Sequence, residues 1–507
     1  MGIRAGGAPL NAANGIREFA RSTPETVAII DGARSLTFAA VHERSNRLAS
    51  GLVSAGVRPG DRVGVLMHNC AEFLETTAAL SKLGGVLVPI TPRSTAAEAA
   101  YVLRHAGVVA LVADEELLTA IEQPPSIVVT RGQEYEALIA RSPDVDPEVR
   151  VPELDPFTVV YTSGTTGRPK GVVLSHRARV LTFYASALEW GFGVGARSVA
   201  AAPMCHGAGL SYAYGPLFCG GSVTIMPRWD PAAFLEVVAR DRATTAFLVP
   251  THAHMLRELG DEVASRPDTS SLRTVYFNAA ALPVPLKEWF AAAFPHVGVH
   301  ELYGSTEAGV VANLRPPDAL RKAGTVGPPW FCTEVRLLDA DGREVAPGEP
   351  GELYSRAPWL MSGYLDDEEA TAACTTDDGF LTAGDVATVD DEGHLRIVDR
   401  TKDMIVTGGM NVYPREIEEL ICRQAGVGEA AVVGVADDKW GEAVVAFVVP
   451  LPGREVDLMG LAEAARNGLA DYKQPRIWHV VSSLPRNTAG KVLKRELRQP
   501  IVSVQDC

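Results

Sequence analysis

The segment YTSGTTGRPKG, from Tyr161 to Gly171, is the densest run of chemistry-bearing residues in the chain. Its glycines let backbone N–H groups come close to an anion. Ser163, Thr165 and Thr166 add hydroxyl donors, and Lys170 adds a point charge. That set suits a polyphosphate. The segment is not a Walker A loop, because no G-K-[ST] occurs in it, and it lacks the G-x-G-x-x-G of dinucleotide sites. The plain alternative is a flexible Ser/Thr/Gly loop.

Such a loop needs strands to hold it. FTVVYT precedes it and GVVLS follows it, both strand-like, and a helix is expected over 176–190. Strand-like and helix-like runs alternate over residues 26–114 and again over about 157–305. Alternation of this kind implies βαβ units and a mostly parallel sheet covered on both faces. Residues 123–157 are rich in Pro and acid and read as a connector. From about 324 to 400 short alternating runs with D-G and Pro/Gly punctuation read as antiparallel β. Beyond 403 the order is strand, helix, strand, strand, helix, strand, with Pro414 placed for a first helical turn.

The expected fold is therefore α/β. A large N-terminal body (1–401) would hold α/β subdomains at about 1–150 and 157–323 and a β-rich subdomain at about 324–400. A small, mobile α+β domain (402–507) would follow. The length of 507 residues agrees, since domains average about 150 residues.

Composition narrows the function classes. Apolar residues make up 47% and charged residues 21%, as in globular chains. The net charge of −15 argues against sequence-independent nucleic-acid binding, which needs basic side chains on phosphates. The seven cysteines are scattered with no C-x-x-C, so neither a disulfide framework nor a zinc site is expected. The first residues carry no signal-peptide core, and no apolar stretch is long enough to span a bilayer. A cytoplasmic location is the default expectation.

Several segments together resemble the adenylate-forming superfamily: acyl-CoA synthetases, adenylation domains of peptide synthetases and firefly luciferase. Besides the Gly/Thr loop they are PMCHGAGL (Pro203–Leu210), YGSTEAG from Tyr303, Gly384-Asp385, RTKDMIVTGGMNVYPREIE from Arg400, and PRNTAGK (Pro485–Lys491). The matches fall in family order and cover nearly the whole chain.

The resemblance implies roles. Thr162, Ser163, Gly164, Thr165, Thr166, Gly167 and Lys170 would bind the phosphates of ATP, with Asn278, Ala279 and Ala280 on the adenine side. Tyr303 would stack near adenine, and Thr306 would hydrogen-bond the α-phosphate. Glu307 would help hold Mg²⁺; read alone, it is an ordinary helix-entry carboxylate. Asp385 would accept the ribose hydroxyls, and Arg400 would contact ribose or phosphate. Lys491 would reach the carboxylate and α-phosphate during adenylation. Lys402 stands at the hinge position, and rotation there would bring Gly408 and Gly409 to a tunnel for coenzyme A. Cys205, His206, Ala208, Gly209 and Tyr212 would line the acyl pocket, with His206 at the pocket or the thiol tunnel. The resemblance is also compatible with a homodimer.

The sequence departs from the family pattern at Cys205 (usually aromatic), Ala383 (Thr of T-G-D), Ala387 (usually Gly), Asn278 (Gly) and Ala281 (Pro). None of these removes a charged group. The small residues of CHGAGLSYAYG predict a roomy apolar pocket. The expected activity is an acyl-CoA ligase for a bulky hydrophobic carboxylic acid, proceeding through acyl-AMP. Three alternatives stay open: an adenylation enzyme loading a carrier protein, a variant retaining only thioester formation, and a non-catalytic nucleotide or acyl binder.

Overall fold

The computed structural model describes residues 9–119, 121–147, 149–162, 169–260, 267–400, 403–408, 410–437, 439–486 and 492–498. Two large sheets dominate, as the alternating pattern requires. One has eight strands: Val27–Asp31, Ser222–Ile225, Arg197–Ala200, Thr245–Leu248, Thr274–Phe277 and Gly298–Ser305 run parallel, and Arg34–Thr37 and Gly309–Leu314 add antiparallel edges. The other has seven: Gly363–Tyr364, Lys170–Ser175, Pro156–Thr162, Val86–Pro89, Arg62–Leu66, Ala110–Ala113 and Ile127–Thr130.

The chain does not fill these layers in sequence. Strands Val27–Asp31 and Arg34–Thr37 join the sheet built mainly from residues after 197, while Pro156–Thr162 and Lys170–Ser175 join the sheet built mainly before 131. The two layers are thus laced together. The helix Ala71–Leu83 is buried along its whole length, and its apolar side chains belong to the same core as strand residues of both sheets.

Residues 123–157 are more than a connector. They contain the edge strand Ile127–Thr130 and the helix Gln133–Arg141, whose Tyr135, Leu138 and Ile139 are buried. The prolines that suggested a linker flank these elements, and of the acidic residues Glu134 and Glu136 lie in the first turn of the helix.

Residues Glu334–Leu338, Gly351–Arg356, Leu381–Val389 and Leu395–Arg400 form the expected antiparallel sheet. The C-terminal unit is α+β, as expected. Strands Val427–Asp437 and Gly441–Pro450 pair along their length, Ile477–Val480 lies parallel to the latter, and helices Pro414–Cys422 and Leu458–Gly468 complete it. Among the described residues no helix is long and apolar enough to cross a membrane.

Candidate active site

The hairpin Gly298–Ser305 and Gly309–Leu314 carries the centre of the site. Its closure depends on two glycines. A Cβ on Gly304 would stand 1.9 Å from the carbonyl oxygen of Gly309, and Gly309 itself has φ +68°. Ala308 N–H donates to Ser305 Oγ at 2.9 Å, fixing the turn. Thr306 and Glu307 sit in that turn, so Glu307 is held by a hairpin and does not open a helix.

Around Glu307 the structure gathers the phosphate-side candidates. Its Oε1 accepts from Tyr364 Oη at 3.1 Å and from Thr162 Oγ1 at 3.5 Å. Lys170 Nζ lies 4.8 Å from the centre of the Tyr364 ring. Burial, then the Glu307 charge, pushes the Tyr364 hydroxyl far above its ordinary value, so it remains a donor. Tyr101 Oη ties down the end of the glycine-rich loop by donating to Pro169 O at 3.0 Å. The partners of Glu307 are hydroxyls, and no Lys or Arg among the described residues is ion-paired with it. A carboxylate surrounded by oxygen groups fits a hard cation such as Mg²⁺.

Asp385 faces Arg400 across the paired strands Leu381–Val389 and Leu395–Arg400, and Tyr303 reaches it from the distant strand Gly298–Ser305. Tyr303 Oη donates to Asp385 Oδ2 at 2.6 Å, and Arg400 Nε donates to Oδ1 at 3.0 Å. Asp385 is only 5% exposed. Burial raises the Tyr303 hydroxyl well above its usual value, and the Asp385 charge adds to this. Burial opposes the charge on Arg400, but Asp385 and other nearby anions, Glu307 among them, outweigh it and raise its pKa. Each carboxylate oxygen has a second lone pair free for a ligand hydroxyl. The missing hydroxyl at Ala383 is not replaced by its neighbour: Thr382 Oγ1 donates to Glu352 at 2.8 Å and accepts from Gly384 N.

The strand Thr274–Phe277 ends at Asn278, Ala279 and Ala280. Asn278 Oδ1 accepts from Ala279 N at 2.6 Å, and Ala279 takes φ +73°. That left-handed conformation costs a non-glycine residue about 1–2 kcal/mol. The segment is anchored from behind. Leu282 N–H donates to Glu301 Oε1 at 3.1 Å, and Lys287 Nζ stands 2.5 Å from Glu301 Oε2. Both partners of this ion pair are buried. No hydrogen bond among the described residues joins Asn278–Ala280 to the Asp385 group.

His206 caps the helix Gly207–Phe218 and is half-buried, as are Gly207 and Ala208. Cys205 is buried, and burial pushes its thiol up to about 11, so it stays protonated. The small residues here do different things. A Cβ on Gly209 would stand 1.9 Å from Pro203 O, so this glycine admits backbone and leaves no room. A Cβ on Gly207 would meet nothing closer than 3.6 Å. Tyr212 packs 4.6 Å from Phe247 in an aromatic cluster with Tyr276 and Trp190, the last stacked 5.2 Å from Trp330. Gly209→Ala should cost about 2 kcal/mol or more by forcing backbone apart, read as a lower denaturant midpoint; Ala208→Gly should cost less than half of that.

Gly408 has φ +57°, and its N–H donates to Trp440 O at 2.8 Å. Ser163, Gly164, Thr165, Thr166, Gly167, Lys402, Gly409 and Lys491 lie outside the described residues. The sequence reading missed Tyr364 and the Lys287–Glu301 pair. Nothing in the sequence around Tyr364 marks it, because its importance comes from pairing of Gly363–Tyr364 with Lys170–Ser175.

The geometry agrees with comparisons to known proteins. The AMP-binding enzyme family pattern matches residues 16–365, and the C-terminal domain of AMP-binding enzymes matches 416–491. The chain is 37% identical over 493 residues to a feruloyl-CoA synthase of Amycolatopsis sp, covering 95% of this chain and 97% of that one. It is 36% identical to the fatty acid–[acyl-carrier-protein] ligase ScoC of Streptomyces coeruleorubidus, covering 94% of each. The crystal structure of the anthranilate CoA ligase AuaEII in complex with anthranoyl-AMP superposes with a TM-score of 0.91 at 26% identity, covering 98% of each chain. A match across most of the chain makes this protein an AMP-binding enzyme of the adenylate-forming superfamily, of the acyl-CoA synthetase type.

Proposed function

We propose that the protein is an ATP-dependent acyl-CoA ligase for a bulky, hydrophobic, aromatic carboxylic acid. The observation that carries this reading is the Tyr303–Asp385–Arg400 group, joined through one hairpin to Glu307, which Tyr364 links to the neighbouring Lys170. It offers acceptors for a ribose at one end and cation-binding and cationic groups for phosphates at the other. The similarity to a feruloyl-CoA synthase supports an aryl acid.

A carboxylate is a poor acyl donor, because its leaving group would be oxide. In the proposed reaction a carboxylate oxygen attacks the α-phosphorus of ATP, and pyrophosphate leaves with the bonding pair. A thiol then attacks the acyl carbon, and AMP leaves. Both steps need alignment and charge stabilisation more than a strong base. Asp385 would hold the ribose while Tyr303 and Arg400 fix the carboxylate. Thr306 would donate to the α-phosphate, and Lys170 would neutralise the outer phosphates. Glu307, with Thr162 nearby, would hold Mg²⁺, which supplies charge neutralisation on the phosphates. Lys491 would serve adenylation, and the unit after Lys402 would then rotate to bring Gly408 and Gly409 to the pantetheine arm. The acid would lie against the segment Cys205–Tyr212.

Incubation with ATP, Mg²⁺, CoA and a panel of acids tests the reading. Ferulate, other aryl acids and polycyclic acids should form thioesters, while acetate and malonate should not. Turnover of the small acids alone would overturn it. The similarity to ScoC favours a second reading, transfer to a carrier protein. Exchanging CoA for a phosphopantetheinylated carrier protein separates the two.

A further inference from the structure

Arg179 lies on the first turn of the helix His176–Trp190 and is 9% exposed. Its Nη1 donates to Ser211 Oγ at 2.9 Å, and Ser211 Oγ donates in turn to Gly207 O at 2.7 Å. Its Nε is buried and makes no hydrogen bond among the described residues, and no carboxylate there is ion-paired with it. Burial lowers its pKa to about 10, which still leaves it charged at neutral pH. A buried charge without a counter-ion costs several kcal/mol. One neutral hydroxyl is poor compensation.

The guanidinium has an address. Nη2 lies 3.6 Å from the point where a Cβ on Gly207 would stand. Thr306 Cγ2 and Oγ1 lie 3.7 and 3.8 Å from the same point. Arg179 and Thr306 therefore border one small space, kept open by a glycine. Thr306 belongs to the turn that carries Glu307, at the phosphate end of the site. In the ligase reaction the anion that must come to this end, beside the nucleotide, is the carboxylate of the acid.

We infer that Arg179 binds the reacting carboxylate of the acid substrate in the space between Gly207 and Thr306. The inference rests on the ligase reading. Arg179 offers the carboxylate a fixed cation from the N-terminal body, so one oxygen is held while the other attacks the α-phosphorus. The P–O bond to pyrophosphate then breaks, and pyrophosphate carries away the bonding pair. Because the charge gains its counter-ion only when the acid arrives, the free protein bears the desolvation cost.

Two variants and two readouts test this. Arg179→Met should raise KM for ferulate in pyrophosphate exchange by about 100-fold, the scale of a lost charge-assisted contact. KM for ATP should change less than threefold, and Arg179→Lys should recover part of the loss. Melting of ligand-free Arg179→Met should be unchanged or higher, because an uncompensated charge has gone. Gly207→Ala should fill the space without a clash, raising KM for the acid roughly tenfold at unchanged melting temperature. Ferulate alone should raise the melting temperature of the wild type but not of Arg179→Met. An unchanged KM for the acid, or a marked drop in melting temperature of Arg179→Met, would overturn the proposal. If the wild type exchanges with no acid in the panel, the ligase reading fails. A marked drop in the melting of Arg179→Met would then overturn the inference as well, whereas a ferulate-induced rise in melting of the wild type that Arg179→Met lacks would still support an anion site at Arg179.

Discussion

Asp385→Ala should lower kcat/KM for ATP in carboxylate-dependent pyrophosphate exchange by at least about a hundredfold. The carboxylate sits at the meeting point of Tyr303 and Arg400, and both hold it through good hydrogen bonds. Hydrogen bonds to a charged group are worth about 1.5–3 kcal/mol each, and two to a ribose would account for a loss of this size. The loss has a second source. Without Asp385 the Arg400 guanidinium loses its main partner and is free to point elsewhere. Asp385→Asn keeps the shape and one acceptor oxygen, so it should fall between the two. Fold stability should fall by about 1–3 kcal/mol, because the Tyr303 hydroxyl loses its acceptor, while Arg400 is partly solvent-exposed and can be hydrated. An unchanged KM for ATP in Asp385→Ala would remove Asp385 from the nucleotide site.

The second large effect is on stability. Lys287→Met should destabilise the protein by about 3–5 kcal/mol, because it strands the Glu301 carboxylate in a dry interior. Glu301 is 3% exposed and Lys287 is fully buried. The pair does more than neutralise itself. Glu301 also accepts from Leu282 N–H, so it pins the segment that carries Ala279 in its left-handed conformation. KM for ATP should therefore rise along with the loss of stability. The double variant Lys287→Met/Glu301→Leu should lose less than the sum of the two single changes, because neither charge remains unpaired. It should still be weaker than wild type, since Leu282 N–H loses its acceptor. Denaturant midpoints of the four proteins in this cycle give the coupling directly. Additive losses would mean that the two charges do not stabilise one another.

Much of the fold was legible because it depends on local pattern. The helix His176–Trp190 begins at Ser175, whose hydroxyl accepts from Ala178 N–H, and ends at Gly191 in the left-handed region. Both signals are in the sequence. The lacing of the two sheets was not legible, because βαβ periodicity says which strands exist and not which sheet each joins. Strand Val27–Asp31 looks like the start of the first unit, yet it pairs with Ser222–Ile225, about two hundred residues on.

The site divides in the same way. Glu307, Lys170, Asp385 and Arg400 are marked by motif, and the structure brings them into two adjoining groups. Tyr364 and Arg179 carry no motif; they matter through what the fold places beside them. The small residues of the Cys205–Gly215 segment misled in detail. Gly209 is small because Pro203 backbone occupies its side-chain space, and Gly215 because Phe183 and Phe192 do. Among these three glycines only Gly207 leaves space beside Thr306. Composition reports small residues but not what fills the gap beside them.

Carboxylate-dependent exchange of pyrophosphate into ATP, without CoA, is the most direct measurement of the central claim. With ferulate or a related aryl acid and Mg²⁺, the wild-type protein should exchange label rapidly, and omission of the acid should abolish it. Exchange that is absent with every aryl and bulky acid, while synthetic acyl-AMPs are still converted to CoA thioesters, would contradict the claim that this chain activates its own acid.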